Sequence, residues 1–440
     1  MPERLQVDIC IIGAGTGGLV TAAAAARLGA RTVLFERHKM GGDCLNYGCV
    51  PSKALLAAAK AAKAIRTADR FGIGAGPPAI DFSAVMRHVH AAIATIAPND
   101  SVERFESLGV KVIGAEARFT GAQEVSGGGF IVRARRFVIA AGSSPAVPPI
   151  PGLDRVAYFT SETIFDNAVL PEHLIVIGGG PIGLEMAQAH RLLGSRVTVL
   201  EAAQILPNDD VELVRELRGQ LETDGIAIRE RTEIGRVEQS ARGITAILRQ
   251  GDGEEGIEGT HLLVAAGRRP NVKGLDLDKA GIAYNPEGIT VDRRLRTSNP
   301  RIYAIGDIAG GPQFTHVAEY HAGLVIRNAL FRLPVKVDYR ALPRVTYTEP
   351  ELAQVGMIES EAKKARGDDV RIFRLRFCEV DRARTDRETL GMIKIVARRN
   401  GRILGASLLG AHAGELIHPW GLAIAEGLKV SALATMIVPY

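Results

Sequence analysis

Two glycine-rich turns, each framed by the same elements, constrain this chain more than any other feature. The first is Gly13-Ala14-Gly15-Thr16-Gly17-Gly18. An apolar run at 7–12 precedes it, and an Ala-rich stretch follows to about Leu28. Gly29 closes that stretch, residues 31–35 read as a second strand, and Glu36 ends it. The second copy runs through a strand at 174–177 to Gly178-Gly179-Gly180-Pro181-Ile182-Gly183. A helix then passes Glu185 to about Leu193, and the strand at 196–200 ends in Glu201. The acid follows the first glycine at the same interval in both copies. Strand, glycine turn, helix, strand and acid together mark a dinucleotide-binding unit. Gly13, Gly15 and Gly18, like Gly178, Gly180 and Gly183, would let backbone approach a pyrophosphate at a helix N-terminus. Glu36 and Glu201 can accept hydrogen bonds from ribose hydroxyls. Residues 262–266 with Gly267 echo 138–141 with Gly142, which extends the duplication.

Between the two units lies Gly41-Gly42-Asp43-Cys44-Leu45-Asn46-Tyr47-Gly48-Cys49-Val50-Pro51-Ser52-Lys53. A disulfide closing so short a loop removes little entropy from the unfolded chain, so it is a poor staple. It suits a pair that opens and closes. Pro51 fits the first turn of a helix, where its missing N–H costs nothing. Such a helix would turn its positive end toward the cysteines and favour thiolate. Two dinucleotide units enclosing a cysteine pair imply electrons moving from one dinucleotide to another and on to a disulfide.

At 440 residues the chain calls for two or three domains. The net charge of +5 is spread over scattered Lys and Arg, which argues against nucleic acid as a partner. No apolar run reaches the ~18 residues a membrane span needs, so no membrane partner is expected. Pro2-Glu3-Arg4 leads straight into the first strand, which reads as leaving no room for a secretion signal. Four cysteines are too few for a disulfide framework, and the chain reads as cytoplasmic. Cys10, inside the first strand, and Cys378 read as packing residues. His88 and His90 read as ordinary helix histidines, and no metal site is expected.

The domain reading follows. Residues 1–148 form a first dinucleotide-binding domain, with the proline-rich passage 145–152 at its boundary. Residues 149–272 form the second, and 273–334 return to the first through the strand at 301–307. From 335 to 440 the pattern changes to alternating strands with helices at 358–365 and 412–428, an α+β domain. A helix from Pro51 to about Ala68, a helical pattern over 81–108 broken near Pro98, and β-hairpins over 110–140 complete it. The fold class is α/β with two Rossmann-like domains and a C-terminal α+β domain.

These residues resemble the FAD-dependent pyridine nucleotide–disulfide oxidoreductases, which include dihydrolipoamide dehydrogenase, glutathione reductase and mercuric reductase. The likeness covers essentially the whole chain. Its most specific element is GGDCLNYGCVPSK at 41–53, beside the family's GGTCLNxGCxPSK. AAGRRPN at 265–271, YAIGD at 303–307, EPELAQVG at 349–356 and HAGELI at 412–417 support it. The resemblance implies that Gly13, Gly15, Gly18 and Glu36 hold the adenosine half of FAD. Gly42, Gly142 and Asp307 also contact the flavin nucleotide, Asp307 at the ribityl chain. Cys49 is the thiolate facing the flavin, and Cys44 is the exchange thiol. Lys53 approaches the flavin N5 region and pairs with Glu185. Gly178, Gly180, Gly183, Glu201 and Gly267 serve the nicotinamide nucleotide. Glu201, followed by Ala202-Ala203-Gln204 with no adjacent Arg for a 2′-phosphate, favours NAD(H) over NADP(H). The family is typically homodimeric through its third domain.

Three departures stand out. Asp43 replaces the usual Thr beside Cys44, and its charge disfavours a thiolate unless it is hydrogen-bonded away. The family's catalytic His, followed by Pro-Thr and then a Glu, belongs where Tyr440 stands; the mercuric reductase branch also has Tyr there. Neither an N-terminal Cys-x-x-Cys domain nor a C-terminal cysteine pair is present, although both are expected of a dedicated mercuric reductase. The expected activity is therefore electron transfer from NAD(P)H through FAD to Cys44–Cys49. Beyond the pair lies a small disulfide, metal ion or quinone, or the reverse reaction with a dithiol such as dihydrolipoamide. Lipoamide turnover needs acid–base help and is expected to be weak without the His–Glu pair. A mercuric-reductase-like metal or quinone reductase, a flavoprotein that bypasses the disulfide, and a non-catalytic flavoprotein are the alternatives.

Overall fold

The apolar run at the start of the chain forms the central strand of a mixed sheet and pairs in parallel with both its neighbours. The computed structural model describes residues 1–251 and 253–440. In it β1 (Glu3–Ile12) leads through the glycine turn to helix α1 (Thr16–Arg27) and on to β2 (Thr32–Phe35). The cysteine stretch forms two helices, α2 (Gly42–Asn46) and α3 (Cys49–Arg66). Strands β3 (Val110–Ile113), β4 (Arg118–Gly121), β5 (Glu124–Gly127), β6 (Phe130–Ile139) and β7 (Ser143–Pro145) follow.

The chain divides into two compact units. The first comprises residues 1–54, 86–146 and 267–337. Its sheet runs β3-β2-β1-β6-β5-β4, and the strand Ile302–Ala304 adds to β6. Ile12 lies beside Phe35 and Ile139, Phe35 beside Ile113, and Ile139 beside Ala304, all in parallel register. The segments that leave these strand ends carry Gly13, Glu36, Gly142 and Asp307. That register gathers residues far apart in sequence at the C-terminal edge of one sheet, where open α/β sheets bind ligands. One face of the sheet packs α1 and the helix Thr315–Ala329 around Ile9, Ile11, Leu34, Val138 and Tyr303. The other buries Phe35, Phe119, Phe137 and Ile302.

The second unit comprises residues 55–85, 147–266 and 338–440. It holds a four-stranded parallel sheet, including β8 (His173–Ile177) and β9 (Arg196–Leu200), and a three-stranded antiparallel meander over 233–259. A five-stranded antiparallel sheet over 343–410 completes it. Among the described residues, no helix is long and apolar enough to cross a membrane.

Two local expectations need correction. Over 110–140 the hairpins are confined to β4, β5 and β6, because β3 pairs with β2 in parallel. The helix expected from Pro51 starts two residues earlier, at Cys49. Pro51 is tolerated there because the first-turn N–H groups of a helix have no partner in any case.

A buried cation cluster braces the second unit. Lys394 is 3 % exposed, and its Nζ lies 2.8 Å from Asp210, 2.9 Å from Glu212 and 2.6 Å from Glu359. Asp210 also caps the helix Val211–Thr223 by accepting the Glu212 N–H at 3.1 Å. Lys394→Met leaves the buried Asp210 without its cation, while Glu212 and Glu359 keep Arg374. It is expected to cost about 3–5 kcal/mol, read as a lower urea midpoint for the second unit. An unchanged midpoint would show that Asp210 finds another partner.

Candidate active site

In each fingerprint the backbone conformation requires the first glycine and close packing requires the third. Gly13 has φ +102° and Gly178 has φ +114°, conformations that side chains rarely adopt. A Cβ on Gly18 would collide with the Gly13 carbonyl oxygen, and a Cβ on Gly183 with that of Gly178. Around Gly180 there is open space. The terminal acids are held alike. Glu36 accepts the Ala14 N–H at 2.7 Å through one oxygen and the His38 N–H at 2.7 Å through the other. Glu201 accepts Gly179 N–H at 2.7 Å and Ala203 N–H at 2.8 Å. Each carboxylate is thus fixed against its own glycine turn before any ribose arrives.

The cysteine helices are stitched onto the first of these turns. Gly41, at φ +87°, donates its N–H to the Ala14 carbonyl at 2.9 Å. A Cβ on Gly42 would come within 2.6 Å of Gly15 Cα, so only glycine allows α2 to lie this close. Cys44 sits within α2, and Cys49 opens α3 as the more exposed of the two. Cys49 Sγ lies 3.2 Å from Thr315 Oγ1. The two thiols have opposite acidities. A hydrogen bond from Cys44 pulls Cys49 down to about 6; Thr315 and the charge of Lys53 help, while burial and Asp43 oppose. Cys44 is pushed up by donating that bond, and further by burial and by the Cys49 charge. One sulfur is therefore a thiolate near neutral pH while its neighbour keeps its proton.

Asp43 has a partner that the sequence did not reveal. Arg268 Nη2 lies 3.1 Å from its carboxylate. The same guanidinium donates to Ser143 Oγ at 2.8 Å and to the Ser143 carbonyl at 2.9 Å, and it lies 3.7 Å from Asp307. Ser143 Oγ donates to Asp307 at 2.5 Å. Burial raises the pKa of Asp307, and the Ser143 and Arg268 contacts counter it. Arg268 stands where it does because residues 268–270 pair with β7. Gly267 belongs to the same ribbon: its carbonyl accepts the Ala146 N–H at 2.9 Å, within the first unit. Lys53 falls in the first unit and Glu185 in the second, where Glu185 is 5 % exposed and accepts the Tyr347 N–H at 2.9 Å.

Residues 7–322 match the family described as pyridine nucleotide-disulphide oxidoreductase, and residues 342–440 match that family's dimerisation domain. The chain belongs to this family. It is 39 % identical to a mercuric reductase of Streptomyces lividans over 98 % of this chain and 93 % of that protein. It is 34 % identical to a dihydrolipoyl dehydrogenase of Bacillus subtilis over 93 % of this chain and 90 % of the relative. Among solved structures it resembles the Cu(II) complex of the HOCl-induced flavoprotein disulfide reductase RclA from Escherichia coli. The TM-score is 0.88 at 28 % identity, covering 98 % of this chain and 96 % of that one.

The pyridine nucleotide-disulphide oxidoreductases use FAD and NAD(P)H, and the first unit fits a flavin dinucleotide. Its glycine cradle leaves no room for a Cβ at Gly18. Its fixed acid, Glu36, and the Asp307 carboxylate share one sheet edge.

Asp43→Asn tests the charge balance at the thiols. Asp43 raises the Cys49 pKa, and its loss also frees the Arg268 charge. Both changes favour thiolate. In pH-dependent alkylation of the reduced protein with iodoacetamide, the midpoint is expected to move to lower pH. Well below the wild-type midpoint the rate should rise roughly two- to fivefold. A midpoint that stays or rises would show that Asp43 does not act on Cys49.

Proposed function

We propose that this chain takes electrons from NADH and delivers them through Cys49 and Cys44 to a soft, thiol-seeking metal cation. FAD, when bound, supplies the two-electron relay between nicotinamide and disulfide. Gly13, Gly15, Gly18, Glu36, Gly42, Gly142 and Asp307 would hold it. Gly178, Gly180, Gly183 and Glu201 would hold the nicotinamide nucleotide. The fixed Glu201 carboxylate favours a free 2′-hydroxyl, so NADH is expected to exceed NADPH in kcat/KM by roughly tenfold or more.

The observation that carries this reading is the opposed acidity of two sulfurs in a segment tied to the flavin-side glycine turn. Cys49 is ready as a thiolate. Cys44 holds the proton that an incoming acceptor displaces. Reduction of the disulfide by NADH and a proton gives NAD⁺ and two thiols. Transfer of that electron pair to Hg(II) yields Hg(0), re-forms the Cys44–Cys49 bond and releases the two thiol protons. The charge of Lys53 would favour the Cys49 thiolate. The mercuric reductase relatives supply the metal class, and the Cu(II) complex of the E. coli neighbour agrees with it. The dihydrolipoyl dehydrogenase relatives favour a second reading, in which the pair oxidises a dithiol such as dihydrolipoamide. The chain would work as a homodimer through residues 342–440, in the reducing cytoplasm.

Turnover of Hg(II), Cu(II) and lipoamide with NADH separates the readings. Metal reduction exceeding lipoamide turnover is expected, and the reverse order would make the dithiol reading correct. Two thiols per chain should become titratable after anaerobic NADH. If none appears, the protein is not a disulfide oxidoreductase in function.

A further inference from the structure

A cavity of about 280 Å³ opens in the first unit against the helix Thr315–Ala329. Four arginines line it: Arg136 on β6, Arg294 and Arg296 in the turn before the strand Ile302–Ala304, and Arg332 just beyond the helix. Arg136 precedes Ile139 by three residues on β6. That places it about 10 Å back along the strands from the edge that carries the fingerprint.

The charges there are unbalanced. Arg296 is neutralised by Asp292, with its guanidinium 2.7 Å and 2.9 Å from one carboxylate oxygen. Among the described residues, Arg136, Arg294 and Arg332 have no acidic side chain as partner. Arg136 Nε is buried without any hydrogen-bond partner, and one Nη donates only to the Arg135 carbonyl at 3.1 Å. A buried guanidinium N–H left unpaired is costly, and clustered like charges add repulsion. The walls are nonetheless fixed. Asn328 donates to the Arg294 carbonyl at 3.3 Å and to the Val335 carbonyl at 3.0 Å, and it accepts the Val335 N–H at 3.1 Å. Arg332 is held at φ +57°, in the left-handed region. The cavity lining thus holds three arginines without an acidic partner among the described residues.

We propose that this cavity binds a diphosphate anion, at a place separate from both dinucleotide fingerprints. Guanidinium forks match phosphoryl oxygens in pairs, and several together select multiply charged anions over chloride. The volume suits a small molecule and excludes a nucleic acid duplex. Arg136, with its buried Nε, would hold one phosphoryl group, and Arg294 and Arg332 the other. The buried Tyr303 would form the floor.

Calorimetric titration of the flavin-loaded protein with pyrophosphate tests this, against potassium chloride at matched ionic strength. One saturable site per chain is expected. Arg136→Gln and Arg294→Gln should each weaken it roughly tenfold or more while NADH-dependent dye reduction stays unchanged. Pyrophosphate should also raise the wild-type melting temperature and leave that of the Arg136→Gln variant unmoved. ADP in the same titrations identifies the source. If its variant-sensitive binding is tighter than that of pyrophosphate, the ligand is a nucleoside diphosphate; if weaker, the free ion. Binding undiminished in both variants would place the anion elsewhere and overturn the proposal, as would heats no larger than those of the salt control.

Discussion

Cys44→Ser is expected to lower NADH-dependent reduction of Hg(II) or a small disulfide by roughly a thousandfold or more. Dye reduction by the same protein should stay within about twofold of wild type. The acidity of Cys49 rests first on the hydrogen bond from position 44, and a serine hydroxyl can still donate it. Thr315, on another helix, and Lys53, one turn along α3, also act on Cys49 and are untouched. The variant therefore keeps a thiolate and an intact nucleotide path. What it loses is the second sulfur, and with it any way to store an electron pair as two thiols or to re-form an S–S bond. A dye that takes electrons upstream of the cysteines does not need that bond. If metal reduction survives in Cys44→Ser, electrons bypass the pair, and the chain is a flavoprotein reductase of another kind. If dye reduction fails as well, the substitution has damaged the flavin site, and Cys49→Ser becomes the cleaner comparison.

Much of this site is legible in sequence because its parts are local. A glycine turn, its helix and its terminal acid lie within one supersecondary unit. Glu36 and Glu201 reach their turns by short, repeated geometry. The cysteine segment is continuous too. What could not be read depends on pairing between distant segments. Asp43 reads in sequence as an unopposed charge beside a thiol. Only the pairing of β7 with 268–270 brings Arg268 to it and draws Ser143 and Asp307 into one network. The four cavity arginines are scattered through a basic chain, and nothing marks them until β6 and the strand Ile302–Ala304 lie side by side. The parallel placement of β3 was hidden for the same reason. A short apolar strand looks alike whether its neighbour is local or distant. Asp43 and Arg268 carry a paired signal, an acid gained beside Cys44 and an arginine inside AAGRRPN, but sequence alone does not say that the two meet.

The duplicated fingerprint permits a test in which one substitution, made twice, should give two different phenotypes. A Cβ on Gly18 drives into the Gly13 carbonyl, and Gly13 cannot yield easily because a Cβ there would itself collide with Ala140. Gly18→Ala must therefore open the turn, at a cost of about 1–3 kcal/mol. It would also tilt the N–H groups of α1 away from a pyrophosphate. Because α2 rests on the same turn through Gly41, Gly42 and Gly15, the cysteines should shift with it. The expected protein is folded but nearly colourless, with flavin content well below one per chain and no NADH-dependent activity that added FAD does not restore. Gly183→Ala meets the Gly178 carbonyl in the same way, yet it belongs to the other unit. It should keep its yellow colour while kcat/KM for NADH falls roughly tenfold or more. Flavin content and NADH kinetics measured on the two variants side by side decide the assignment. Equal flavin loss in both would mean that the two turns do not divide their nucleotides as proposed. A yellow Gly18→Ala beside a colourless Gly183→Ala would reverse the assignment outright.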